Sequence, residues 1–97
     1  MSEQTDERGE LKNHLDSEGR LTLWPSKRTL QEAALDYLAA KLEAGKVYSE
    51  KEINTLLGQL HTFNDAALLR RELYERGLLN RTKDGSEYWR TPQTRFL

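Results

Sequence analysis

Few side chains in this chain could break or make bonds. It has no cysteine, and its two histidines, His14 and His61, stand 47 positions apart. Disulfides and thiolate-held zinc are therefore excluded, and a histidine-led metal site has no cluster to grow from. Ser49 stands three residues before Glu52, a spacing that explains it as a helix cap rather than a nucleophile. Neither histidine lies in a motif with a nucleophile, there is no glycine-rich phosphate loop, and the carboxylates are dispersed. The reading expects no enzyme, no cofactor and no metal.

What remains is recognition by positive charge. Arg70 and Arg71 are adjacent, Tyr74 follows one turn later, and Arg81, Lys83 and Arg90 flank an Asp84-Gly85 pair. On a helical wheel Ala67, Arg70, Arg71 and Tyr74 share one side, while Leu68, Leu69, Glu72, Leu73 and Arg76 share the other. Small Ala67 would let such a helix approach a groove, the guanidiniums could bond phosphates or guanine edges, and Tyr74 could bond a phosphate. Arg81, Lys83 and Arg90 would then lie along the phosphate backbone. A second reading stands beside it: a solvated face in which Arg71 pairs with Glu75, Arg70 reaches an acid on a neighbouring helix, and charges protect hairpin edges.

Charge is distributed in keeping with the first reading. Residues 1–24 hold six acids and three bases, residues 25–52 five of each, and residues 53–97 seven bases and five acids, within a net charge of −1. The basic excess is modest, so it permits a phosphate-contacting face without demanding one. An acidic side, Glu32, Asp36 and Glu43, would repel DNA and could meet a basic partner.

These residues need elements to position them. Leu11, His14 and Leu15 recur at helical spacing, Asp16-Ser17-Glu18-Gly19 stops that segment, and Leu21, Leu23 and Trp24 alternate as a strand or extended arm bringing core contacts. After Pro25, Ser26 or Thr29 caps a long helix whose stripe is Leu30, Ala33, Ala34, Tyr37, Leu38 and Leu42, with Gly45 as its C′ residue. Lys46-Val47-Tyr48 reads as a short strand, and Ser49 with Glu52 opens a helix over about 50–61 carrying Ile53, Leu56, Leu57 and Leu60. Gly58 inside it marks either a close backbone approach or simple tolerance. His61-Thr62-Phe63 leads into a helix over 64–76, with Asn64 as cap and Phe63 stapled on Leu68. Gly77 closes it. Residues 78–82 and 87–91 form a hairpin turning as type I′ at Asp84-Gly85, with Trp89 and Tyr88 on opposite faces, and Pro92 ends it.

Four separated blocks, Glu18 to Leu21 through Trp24 to Lys27, Tyr48 to Asn54, Leu69 to Leu73, and Asp84-Gly85 with Tyr88 to Arg90, resemble a prokaryotic domain of unknown function, numbered twenty eighty-seven, over about residues 11–91. The resemblance implies association with helix-turn-helix regulators and supplies no catalytic or binding residues. The element order itself, helix, strand, helix, helix, hairpin, predicts a mainly α (α+β) winged helix-turn-helix with an N-terminal arm and a C-terminal wing. Residues 1–10 read as an acidic tail, 11–92 as one domain and 93–97 as a second tail.

The resulting expectation is a cytoplasmic transcriptional regulator that binds double-stranded DNA through Ala67, Arg70, Arg71, Tyr74, Arg81, Lys83 and Arg90, as a homodimer because one small module makes few base contacts. The alternative is a non-catalytic protein-interaction module of a regulatory complex. No apolar run reaches the ~18–20 residues of a membrane span, so no membrane partner is expected.

Overall fold

Leucines at helical spacing lay down the core. In a computed structural model describing residues 11–92, α1 spans Arg28–Ala39, β1 Val47–Ser49, α2 Glu50–Gln59, α3 Ala66–Glu75, β2 Leu79–Arg81 and β3 Glu87–Arg90. The two tails expected over 1–10 and 93–97 lie outside the described residues. Leu30, Ala34, Leu35, Leu38 and Ala39 of α1 meet Ile53 and Leu57 of α2 and Leu69 and Leu73 of α3 in one buried cluster. Tyr48, Leu79 and Tyr88 close this cluster from the sheet.

That sheet has three antiparallel strands in the order β1-β3-β2. Tyr88 pairs with Tyr48 on one side and Arg81 on the other, and Trp89 with Val47 and Asn80. Because side chains alternate along a strand, Tyr48 and Tyr88 face the helices while Val47 and Trp89 share the outer face. Among the described residues no helix is long and apolar enough to cross a membrane.

Several local expectations change. α1 ends at Ala39, and Leu42 reaches the core from the following turn, where Lys41 and Leu42 N–H bond back to Leu38 and Ala39 carbonyls. Gly45, at φ +82°, therefore serves the turn into β1 rather than a C′ position. Neither Ser26 nor Thr29 caps α1. Lys27 occupies the N-cap without a side-chain bond, and Gln31 Nε2 instead holds the Pro25 carbonyl at 2.8 Å. The Ser49–Glu52 capping box of α2 forms in both directions, at 3.0 and 2.9 Å. Gly58 is exposed with open space where a Cβ would stand, so no backbone packs there and tolerance explains it.

The N-terminal arm is coil with one 3₁₀ turn, Lys12–His14, where the spacing predicted a helix. Asp16 organises the bend: its carboxylate accepts the backbone N–H of Glu18 and Arg20 and the Arg20 Nε, all within 2.9 Å. Gly19 adopts φ +79°, and Tyr37 donates its hydroxyl to the Gly19 carbonyl at 2.8 Å. Beyond it Leu21 is wholly buried, whereas Leu23 is 49% exposed and brings no core contact. Trp24 packs half-buried on the core.

The hairpin turns differently from a type I′ loop. Gly85 N–H bonds the Thr82 carbonyl at 3.0 Å, and of the central residues only Gly85 has positive φ. This is a turn over Lys83-Asp84 closed by a left-handed glycine; with Thr82 N–H bonded to the Glu87 carbonyl at 2.9 Å, the loop is the four residues 83–86, two more than in the two-residue form.

Candidate nucleic-acid interface

α3 presents the site, so its start matters most. The helix begins two residues later than the spacing predicted. Asp65 is the N-cap, accepting Leu68 N–H at 3.1 Å, while Asn64 takes φ +57° in the turn before it. With the frame shifted, Phe63 no longer occupies the staple position and stands edge-on to His61, ring centroids 4.6 Å apart.

His61 fixes this turn. Its ring is buried; Nε2 accepts the Asp65 N–H at 2.8 Å and Nδ1 lies 2.6 Å from the Leu57 carbonyl. Since Nε2 is an acceptor, the proton resides on Nδ1 and is donated to Leu57. One imidazole thereby bonds the last turn of α2 to the N-cap of α3. The arm supports the same point: Leu21 N–H bonds the Leu60 carbonyl at 2.8 Å and Thr62 N–H the Leu21 carbonyl at 2.9 Å.

Of the seven predicted contact residues, the fold leaves five exposed: Ala67, Arg71 and Tyr74 on α3, and Arg81 and Lys83 in the hairpin. Helix and hairpin are joined at this surface, because the Arg81 guanidinium lies over the Tyr74 ring at 4.8 Å and Arg81 Nη1 also reaches the Thr82 and Lys83 carbonyls at 3.4 Å. Arg71 forms no ion pair or hydrogen bond among the described residues, so its expected pairing with Glu75 is absent. Near the hairpin tip Asp84 accepts from the Thr82 and Ser86 hydroxyls, both at 2.8 Å. The Ser86 hydroxyl, then that of Thr82, then the Ser86 N–H hold its carboxyl below the usual carboxylate range.

The other two predicted residues are engaged internally. Arg70 is half-buried: Nη1 bonds Asn54 Oδ1 at 2.5 Å and lies 3.6 Å from Glu50, with the guanidinium 5.9 Å from the Tyr88 ring. The acid on a neighbouring helix is thus Glu50 of α2. Arg90 Nη1 bonds the Leu42 carbonyl at 3.1 Å, tying β3 to the turn after α1. Sequence reasoning missed Asn54 as the partner of Arg70, although Glu50 and Asn54 at i and i+4 on α2 were a legible signal. On the far side of α3, Arg76 Nη2 bonds Gln31 and Glu72, both at 3.0 Å. This anchors α3 to α1 and away from the exposed face.

Among the described residues no group of three or more His, Cys, Asp or Glu is placed to hold a metal. A family model described as an uncharacterized protein conserved in bacteria, DUF2087, matches residues 20–90. Neither a curated protein nor a solved structure matches the chain.

Proposed function

We propose that this chain, which belongs to the bacterial DUF2087 family, is a winged helix-turn-helix protein that binds double-stranded DNA, with α3 in the major groove and the β2–β3 hairpin along the backbone. The element order and the β1-β3-β2 sheet are consistent with that fold. The observation that carries the reading is the Tyr74–Arg81 stack. It couples the exposed side of α3 to the hairpin, so that Arg71, Arg81 and Lys83 form one cationic surface beside small Ala67, which leaves room for a groove wall. A single such surface makes few base contacts, so two copies acting at a repeated half-site are part of the proposal, as is a role in transcription regulation.

Three cations set the magnitude of the test. At about −0.9 per phosphate neutralised, log affinity against log salt should have a slope of about −2.7 for mixed-sequence duplex. Arg71→Ala should flatten it by about 0.9, whereas Arg90→Ala should not change it. No duplex binding at about 50 mM salt would eliminate the proposal.

A second reading, a protein-interaction module of a regulatory complex, is favoured by one observation. The outer sheet face carries Val47, 53% exposed, and half-buried Trp89, and with Ala44, Thr91 and Pro92 they line a mostly apolar concavity of about 740 Å³. Under this reading Val47→Glu abolishes partner binding, and Arg71→Ala leaves it intact.

A further inference from the structure

A second cleft lies away from that surface, between the turn after α1 and the outer side of α2. It measures about 480 Å³, within the range of small-molecule sites, and is lined by Lys41, Glu43, Lys46, Tyr48, Lys51, Glu52, Thr55, Leu56 and Gln59. Three lysines line it, Lys41 and Lys46 from the connection between α1 and β1 and Lys51 from the first turn of α2. None forms an ion pair among the described residues; Lys41 and Lys46 stand over the rings of Tyr37 and Tyr48, each 4.9 Å from the centroid. Of the two carboxylates, that of Glu52 is occupied by the Ser49 N–H in the capping box. Three ammoniums against two carboxylates leave the cleft positive.

Its remaining polar groups are donors or contain them. Tyr48 is only 6% exposed; its hydroxyl oxygen accepts the Glu43 N–H at 2.9 Å, and its own proton has no acceptor among the described residues. The Thr55 hydroxyl and Gln59 amide likewise make no hydrogen bond among those residues. Tyr48 thus brings a free O–H donor to a cleft rimmed by cations that form no ion pair, with Leu56 in its wall. Lysine recognises phosphate as a point charge, and the apolar wall suits a flat organic body.

From this juxtaposition we infer that the cleft binds a small organic phosphate, the oxyanion among Lys41, Lys46 and Lys51 with the Tyr48 hydroxyl as a further donor, and the body against Leu56. This site does not depend on the DNA reading. The test uses the full-length protein and phenyl phosphate, followed by backbone-amide NMR shifts, with inorganic phosphate and benzyl alcohol as separate arms. Saturable shifts confined to residues 41–59 are expected, with weaker binding of both fragments. Lys46→Gln should weaken phenyl phosphate roughly threefold, as an exposed charge contact implies, and Tyr48→Phe should weaken it while circular dichroism reports an intact fold. Arg71→Ala should change nothing here. Shifts spread equally over Lys12, Lys83 and the cleft, failure to saturate, or inorganic phosphate binding as tightly as the ester would overturn the inference.

Discussion

Replacing His61 with leucine keeps a side chain of similar bulk in the buried site but removes both ring nitrogens. The two bonds lost are unequal. The Leu57 carbonyl retains a second donor, the Leu60 N–H at 3.0 Å, so it is not orphaned and its loss is an ordinary net hydrogen bond, about 1 kcal/mol. Asp65 N–H has His61 Nε2 as its partner, and leaving such a group unpaired costs about 1–3 kcal/mol, the lower end applying because this end of α3 is partly wet. The expected destabilisation is therefore about 2–3 kcal/mol, a large fraction of the roughly 5–15 kcal/mol available to a small domain. Urea unfolding followed by circular dichroism measures it. His14→Leu is the matched control, because His14 Nδ1 is buried without a partner and its removal should cost less than about 0.5 kcal/mol. Equal midpoints for the two variants would refute the assignment of His61 as the bond between α2 and α3.

Gly19→Ala should destabilise by about 2–3 kcal/mol in the same assay, since a Cβ there would stand 2.8 Å from the Tyr37 hydroxyl on a backbone at φ +79°; a change under about 0.5 kcal/mol would contradict the close approach. Asp84 has a folded-state pKa below its ordinary 3.8, so its contribution to the hairpin is present above that value and fades as pH falls through the lower folded one. Amide exchange at Gly85 and Ser86, corrected for intrinsic rates, should accelerate below about pH 3.8 in the native protein, and Asp84→Asn should remove that dependence. Arg90→Ala should cost about 1–2 kcal/mol by releasing the Leu42 carbonyl, measured by thermal unfolding; a neutral effect would return Arg90 to the pool of free surface cations.

The parts of the fold legible in the sequence were those governed by local rules. The Ser49–Glu52 box, the order of helices and strands, the buried Leu69 and Leu73, and the opposite faces of Tyr88 and Trp89 all follow from spacing a few residues wide, whereas spacing alone did not say that Tyr88 is the one facing the core. What spacing could not show was closure over distance. α1 stops at Ala39 because Leu42 serves the core from a turn, so a stripe that continues in register on the wheel leaves the helix in space. Leu35 and Ala39 were absent from the predicted stripe for the same reason: several elements surround α1 and widen its buried face. For the candidate site, the side of α3 was readable but the fate of Arg70 and Arg90 was not. Their partners, Asn54 and the Leu42 carbonyl, lie 16 and 48 positions away.

The attachment of Leu21 to the α2–α3 turn bears on the order in which the chain assembles. Leu21 and His61 are forty positions apart, and the two backbone bonds of Leu21, to Leu60 and Thr62 on either side of His61, close a loop that already contains α1, β1 and α2. Loop closure of this length is entropically unfavourable and is compensated only after the enclosed elements have condensed. The arm should therefore dock late, and the α2–α3 angle should tighten in a slow step, after helix formation is complete. A chain emerging from the ribosome would hold its arm exposed throughout synthesis of the first three elements, finding its seat only when residue 62 becomes available.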